Sequence, residues 1–241
     1  MIEFRNLQKT FGERAVLRGL NLKISEGEIV FLLGRSGTGK SVSLKLIVGL
    51  LKATSGEIWL SGENITHFSE EQFFEVRKKC GMVFQHPALF DSMTVFENVA
   101  YGLRQRGGYS EEQIALEVRK YLNLVHLKNV EDKLPQQISY GSQKRASLAR
   151  TMANQPRILL FDEPTTGLDP ITTNAINSLI KELSSALKVT SVVVSHDMKC
   201  ALDIADRIIV MDEGQIIGEG TPSEIKKSQH PIISGFMREV Q

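Results

Sequence analysis

One run of eight residues sets the fold class of this chain: Gly34-Arg35-Ser36-Gly37-Thr38-Gly39-Lys40-Ser41. It fits the pattern GxxxxGK[ST] and lies between the apolar run Ile29–Leu33 and a helical pattern. Glycines let successive backbone N–H groups turn toward phosphate oxygens, and the helix N-terminus adds unpaired N–H groups. The run therefore predicts a phosphate-binding loop, in which Lys40 bridges the β- and γ-phosphates and Ser41 ligates Mg²⁺.

Strand and helix patterns alternate on both sides of this loop. Leu20, Leu22 and Ile24 alternate with polar residues, which predicts half-buried strands in the first 25 residues. The helical pattern after the loop extends through Leu50. The later segments are expected to be strands at 57–60, 82–84, 157–161, 190–194 and 207–211, and helices at 170–187 and 198–205. This alternation predicts an α/β fold with a parallel sheet core.

The middle of the chain has a helical character. The capping-box pattern [ST]xx[EQ] occurs at Ser69, Thr94 and Ser110. These three helix starts predict a helical insert over about residues 86–150.

Composition and charge exclude several classes of protein. The 241 residues carry 29 basic and 28 acidic side chains, so the net charge of +1 provides no basic footprint for nucleic acid. Cys80 and Cys200 have no CxxC or Cys/His spacing, which argues against a disulfide framework or a zinc site and favours a reduced chain. The apolar run 29–33 is far shorter than a spanning helix, so we expect another chain to supply any membrane part.

Polar side chains follow several of the predicted strands. Asp162 and Glu163 come directly after a buried strand, His196 follows the strand that ends near Ser195, and Gln85 follows the short strand 82–84. Parallel sheets bind ligands at the carboxyl ends of their strands. We expect Asp162 to hold Mg²⁺ through water and Glu163 to orient the attacking water. Taken alone, Gln85 and His196 also fit ordinary loop or surface residues.

The order of these motifs resembles the ATP-binding cassette (ABC) ATPases over nearly all of the chain. The resemblance implies one ABC ATPase domain over residues 1–241, with an antiparallel N-terminal β subdomain, that binds ATP and Mg²⁺. It implies that Phe11 stacks on adenine, that Gln85 touches Mg²⁺ and couples to the partner, and that Glu163 is the catalytic carboxylate. His196 matches the switch histidine, and Gly167-Leu168-Asp169 matches the D-loop. Phe11 also fits a packing residue, and Asp169 a helix cap.

The signature motif departs from the family pattern LSGGQ. Here it reads Ile138-Ser139-Tyr140-Gly141-Ser142. The resemblance implies that Ser139 and Gly141 meet the γ-phosphate of the opposite subunit. Tyr140 and Ser142 replace a glycine and a glutamine, so the sequence leaves the rate of hydrolysis open.

A narrower resemblance concerns the cargo. Residues 74–101 are similar to the ATPase of the Mla-type phospholipid transporter, as are the segments 169–172 and 192–197 and the end 231–236. Importers of amino acids or metal chelates share many of these residues, which keeps a small-solute importer as the alternative.

The resemblance also implies the partners. We expect a homodimer that sandwiches two ATP molecules, bound to a multi-span permease at the cytoplasmic face of the inner membrane, with neither nucleic acid binding nor direct membrane insertion. Ala88-Leu89-Phe90 and Met93…Phe96 predict an apolar groove beside Gln85 that receives a permease helix. Phe90 and Phe96 equally fit core residues of the insert. A soluble ABC ATPase acting on DNA or ribosomes, and a phosphate-loop kinase, are less consistent with the motifs.

Overall fold

The computed structural model describes residues 1–238. The strands of this part are β1 (Ile2–Phe11), β2 (Arg14–Ile24), β3 (Ile29–Leu33), β4 (Ser55–Leu60), β5 (Glu63–Asn64), β6 (Cys80–Val83), β7 (Ile158–Asp162), β8 (Thr190–Ser195), β9 (Arg207–Asp212) and β10 (Gln215–Gly220). The α-helices are α1 (Lys40–Ile47), α2 (Glu70–Lys79), α3 (Val95–Arg106), α4 (Glu111–Leu124), α5 (Tyr140–Ala153), α6 (Pro170–Leu187), α7 (Met198–Ile204), α8 (Pro222–Lys226) and α9 (Pro231–Arg238).

The core is a six-stranded sheet in the order β10-β9-β3-β8-β7-β6. All neighbouring pairs are parallel except β9 and β10. Leu33 pairs with Ser195, and Asp162 pairs with Val194. The carboxyl ends of β3, β7 and β8 therefore meet at one edge of the sheet, which brings together the residues that follow them. The predicted α/β fold with a mostly parallel core is confirmed.

A second sheet, in the order β2-β1-β4-β5, is antiparallel, as the resemblance implied. Its buried Leu17 and Leu22 join a hydrophobic cluster with Val30 and Leu32 of β3 and with Leu44 of α1. Because side chains alternate along a strand, Phe31 and Leu33 face the opposite side, where they join the cluster that contains α3–α7. The phosphate loop is thus anchored between two separate cores.

Helices α3, α4 and α5 lie in the chain between β6 and β7 and share one core, with Leu103, Val118 and Leu148 buried together. All three predicted capping boxes form, at the starts of α2, α3 and α4. Helix α5 continues to Ala153, beyond the expected end of the insert at 150, because Met152 and Ala153 are buried. The prediction that this region forms a subdomain stays a prediction.

Several predicted boundaries were wrong by a few residues. Helix α1 ends at Ile47 instead of continuing to Leu50, since Gly49 takes a left-handed conformation with φ of 68° and Leu50 is exposed. Strand β6 covers Cys80–Val83 instead of 82–84. Among residues 1–238, none of the helices has both the length and the apolar character needed to span a bilayer.

Candidate nucleotide site

A cavity of about 520 Å³ opens at the carboxyl edge of the parallel sheet. Its lining combines residues of the phosphate loop, of the N-terminal sheet and of the loops after β6, β7 and β8: Arg14, Val16, Ser36, Gly37, Gly39, Lys40, Ser41, Val42, Gln85, Glu163, Thr166 and His196. The structure therefore brings Gln85, Glu163 and His196 to the phosphate loop, as their positions at strand ends predicted. Arg35 and Thr38 line an adjoining pocket of about 510 Å³ on the side of β2.

The phosphate loop has the backbone geometry that its glycines permit. Gly37 and Gly39 have φ of 82° and 100°, values in the region that favours glycine. A Cβ on Gly39 would lie 2.6 Å from Leu17 Cδ2, so no side chain fits there. The loop thus packs against β2 on one side and leaves the cavity side open for an anion.

Lys40 is held inside the loop. Its Nζ donates hydrogen bonds to the backbone oxygens of Gly34 at 2.7 Å and Arg35 at 3.0 Å. Burial lowers the pKa of Lys40, while the nearby carboxylates of Glu163 and Asp162 oppose that shift. A largely desolvated ammonium at the cavity wall is well suited to bind a phosphate, because its charge is weakly screened there.

Two of the predicted Mg²⁺ ligands already lie together. The Ser41 hydroxyl donates a hydrogen bond of 2.6 Å to Asp162 Oδ1, and Gln85 lines the same cavity. Residues 1–238 contain no cluster of three His, Cys, Asp or Glu side chains that could hold a metal by themselves. One hydroxyl, one carboxylate and one amide are hard oxygen donors, which fit an ion that keeps waters and substrate phosphates as its other ligands.

Glu163 lies at the centre of the site. Its Oε2 accepts a hydrogen bond of 3.1 Å from Thr166 and lies 2.8 Å from His196 Nδ1, while Oε1 lies 4.0 Å from Lys40 Nζ. Its backbone has φ of 51°, a strained value for a non-glycine residue. Two polar contacts therefore fix a carboxylate that is only 16% exposed at the cavity wall. Thr166 was not predicted, since no pattern in the sequence marks it.

Phe11 is expected to stack on adenine, and this role stays a prediction. The described residues that line the cavity do not include it; it is 44% exposed, and Lys9 Nζ lies 4.8 Å from the centre of its ring. Its partner across the β1–β2 hairpin, Arg14, lines the cavity instead, together with Val16. Neither residue was predicted from the sequence, although the hairpin next to Phe11 could have indicated them.

Ser139 and Gly141 do not line this cavity either. Ser139 caps α5, with its hydroxyl accepting a hydrogen bond of 3.2 Å from the backbone N–H of Ser142. A Cβ on Gly141 would lie 2.7 Å from Thr172 Cγ2 of α6. A side chain at position 141 would therefore meet a neighbouring helix of the same chain, and the contact of Ser139 and Gly141 with the γ-phosphate of a second subunit stays a prediction.

Known proteins resemble the chain in both sequence and structure. The sequence profile of the family described as ABC transporter matches residues 17–166, more than half of the chain. The chain belongs to the ABC transporter family. As an ATP-binding domain of this family it is an ATPase that binds ATP together with Mg²⁺, and the phosphate loop and the oxygen donors described above are consistent with both.

Curated relatives of this ABC ATPase differ in what they transport. The methionine import ATP-binding protein MetN of Carboxydothermus hydrogenoformans is 42% identical over 100% of this chain and 72% of its own length. The intermembrane phospholipid transport system ATP-binding protein MlaF of Haemophilus influenzae is 40% identical over 99% of this chain and 90% of its own. Identity alone therefore does not distinguish the cargo.

Solved ABC structures share the fold. The dimeric bacterial ABC transporter cassette MJ0796 superposes with a TM-score of 0.85 at 35% identity, covering 92% of this chain and 99% of its own. The protein cbiO1 of Clostridium perfringens, part of the ABC transporter complex cbiONQ, gives a TM-score of 0.86 at 30% identity, covering 98% of both chains.

Proposed function

We propose that this ABC ATPase powers a membrane transporter by hydrolysing ATP in the cavity between the phosphate loop and Glu163. The loop N–H groups and Lys40 bind the phosphates, and Glu163 accepts a proton from the attacking water. The observation that carries this proposal is the position of Glu163, held by His196 and Thr166 within 4.0 Å of Lys40 Nζ.

The Mg²⁺ ion belongs beside Ser41 and Asp162, with Gln85 as a further oxygen donor. When bound, it neutralises charge on the phosphates. His196 is 65% exposed and lies 2.8 Å from Glu163 through its Nδ1 atom, so it orients the carboxylate, and the family pattern places its ring within reach of the γ-phosphate.

We propose further that two copies of the chain form the working unit. Ser139 and Gly141, which the family pattern places against a nucleotide, lie away from the cavity of their own chain. The capped start of α5 is a helix N-terminus that can face the γ-phosphate of a second copy. The dimeric form named for the similar cassette MJ0796 supports this arrangement.

A groove of about 660 Å³ supports a permease partner. It lies between α2, β6, α3 and α5, and its aromatic members are Phe74, Phe84, Phe90 and Tyr101. Phe90 is 42% exposed and packs against Tyr101, with ring centres 5.0 Å apart. Of the residues expected to form a groove beside Gln85, Ala88 and Phe90 line this one, whereas Leu89 and Phe96 pack against the hydrophobic core.

The charges of the groove favour an acidic occupant. Arg77, Lys78, Arg106 and Arg150 line it, and none of its lining residues is acidic, although Arg77 and Lys78 pair with Glu70 and Glu75 outside the lining. Arg150 packs over the Phe90 ring at 5.6 Å, burial lowers its pKa, and no carboxylate within residues 1–238 forms an ion pair with it. A carboxylate from a docked helix would give this partly buried cation an ion-pair partner. We infer that a permease helix with apolar residues and at least one Asp or Glu occupies the groove.

The cargo we propose is phospholipid. Two copies of this chain would lie at the cytoplasmic face of a membrane, bound to two copies of the permease that moves the lipid. The support is the likeness of residues 74–101, which build much of the groove, to Mla-type ATPases, together with the relative MlaF. Importers of small solutes are the second candidate, favoured by the relatives MetN and the sulfate/thiosulfate import protein cysA of Cucumis sativus, which is 42% identical over 99% of this chain and 68% of its own length.

Purification of the native complex tests the cargo. Mass spectrometry of the complex should find phospholipid retained in stoichiometric amount, and vesicle phospholipid should stimulate ATP hydrolysis more than methionine or sulfate does. Stimulation by one of those solutes, together with a co-purified solute-binding protein, would replace the phospholipid proposal by the importer.

A further inference from the structure

A buried lysine outside the nucleotide cavity connects three functional segments. Lys144 lies on the second turn of α5 and is only 4% exposed. Its Nζ donates hydrogen bonds to the backbone oxygens of Gln85 at 2.8 Å and Pro164 at 2.7 Å. Gln85 lines the cavity, and Pro164 directly follows Glu163. One ammonium therefore joins α5, the helix that Ser139 caps, to both sides of the hydrolysis site.

Tyr140 covers this connection on its outer side. The Lys144 Nζ lies 5.4 Å from the centre of the Tyr140 ring. The Tyr140 hydroxyl lies 3.2 Å from His86 Nδ1 and 3.5 Å from the Gln85 backbone oxygen. A Cβ built on Gly167 would lie 3.7 Å from the same ring. The tyrosine that replaces a signature glycine thus contacts the segments on both sides of Lys144.

Burial of the Lys144 ammonium lowers the stability of the folded protein, so this arrangement points to a functional role. Burial lowers the pKa of Lys144 to about 8, and the negative charge of Glu163 counteracts this shift. A buried cation bonded only to neutral carbonyls is rarely favourable for stability alone. The two carbonyl oxygens belong to the segments that carry Gln85 and Glu163. Among the described side chains, only the Tyr140 hydroxyl also donates to one of them, at 3.5 Å to the Gln85 oxygen.

We propose that Lys144, covered by Tyr140, is a positioning residue for ATP hydrolysis. It holds the Gln85 segment and the Glu163 segment at a fixed separation, and it couples both to α5. A nucleotide that contacts the start of α5 in the dimer then sets the positions of Gln85 and Glu163 in the same chain. This inference rests on the proposed function of Glu163 and gives the atypical signature sequence a role.

The test compares Lys144→Met, which keeps the length and loses every donor, with Lys144→Arg, which keeps charge and donors. An exposed lysine, Lys120→Met, is the matched control. We expect Lys144→Met to lower kcat for ATP hydrolysis by about 10- to 100-fold while the Kd for Mg-ATP changes less than threefold. The Lys144→Arg variant should keep most of the wild-type kcat. Hydrogen exchange of the 84–88 and 164–168 amides should rise together in Lys144→Met only.

Five outcomes distinguish the alternatives. An unchanged kcat in a folded Lys144→Met overturns the proposal, and so does an equal loss in kcat and in Mg-ATP affinity, which a merely structural role predicts. If Lys144→Met does not fold, Tyr140→Phe replaces it: a two- to fivefold fall in kcat at constant affinity supports the proposal, and no change refutes it. Glu163→Gln is run in parallel, since full activity there would overturn the site assignment itself.

Discussion

Replacing Glu163 by glutamine is the perturbation that bears most on the chemistry of the site. The substitution keeps the shape of the side chain, and its amide oxygen can take the place of Glu163 Oε2, which contacts both Thr166 and His196. It removes the ability to accept a proton. Positioned general bases contribute about 10²–10⁴-fold, so kcat should fall by that factor, equivalent to about 2.7–5.5 kcal/mol.

The affinity of Glu163→Gln for ATP should rise or stay the same, although its kcat falls. Glutamine removes the negative charge that lies 4.0 Å from Lys40 Nζ, which leaves the ammonium free to pair with phosphate. Isothermal titration with Mg-ATP should therefore give a Kd equal to or below that of the wild type, and steady-state phosphate release should give the loss in kcat. An ATP-bound dimer should accumulate on a sizing column.

Thr166→Val is the matched control, because it removes one hydrogen bond from Glu163 and keeps the carboxylate. A single hydrogen bond contributes about 0.5–1.5 kcal/mol, so kcat should fall only about 2- to 12-fold. If Glu163→Gln kept kcat within threefold of the wild type, the proton acceptor would have to be another group, and His196 would be the next residue to test.

Three further outcomes follow from the structure. Lys40→Ala should raise the Kd for Mg-ATP by about 10- to 150-fold, since it removes a charge-assisted contact worth about 1.5–3 kcal/mol; an unchanged Kd in titration would contradict the role of the loop. Gly141→Ala should lower the free energy of unfolding in urea by about 1–3 kcal/mol, because its methyl group meets Thr172 Cγ2, and adding Thr172→Ser should restore it. If the double variant regains its stability but still does not hydrolyse ATP, Gly141 must instead lie against the phosphate of the second copy. Burial raises the pKa of Cys80 to about 12, so at pH 8 its labelling by a maleimide should be about 1,000-fold slower in the folded protein than in urea, and equal rates would contradict the burial.

The convergence of the site residues could be predicted because parallel strands align their carboxyl ends. A buried run followed by polar residues placed Asp162, Glu163 and His196 at one edge, and the pairing of β3, β7 and β8 confirms that placement. The starts of three helices could also be predicted, because each capping box is a pattern of only four residues whose hydrogen bonds join the first residue to the fourth.

Contacts that depend on the paths of loops could not be predicted in this way. Thr166 reaches Glu163 because the loop after β7 turns back on itself, and Lys144 reaches Gln85 from 59 residues away. Arg14 and Val16 line the cavity because they lie on the β1–β2 hairpin, whose several register shifts the sequence pattern does not reveal. Neither feature leaves a periodic or spaced pattern in the sequence.

The central claim is that this ATPase acts through a permease docked in the groove around Phe90. Phe90→Asp places a carboxylate in the apolar wall that a permease helix would cover, whereas Leu116→Asp makes the same change at a residue of α4 that is 64% exposed and outside the groove. Cells expressing either variant are fractionated, and Mg-ATP binding of each purified protein is titrated. We predict that the wild type and Leu116→Asp sediment with membranes, and that Phe90→Asp moves to the supernatant with its ATP affinity unchanged. Sedimentation of Phe90→Asp in the same proportion as the wild type would contradict the claim.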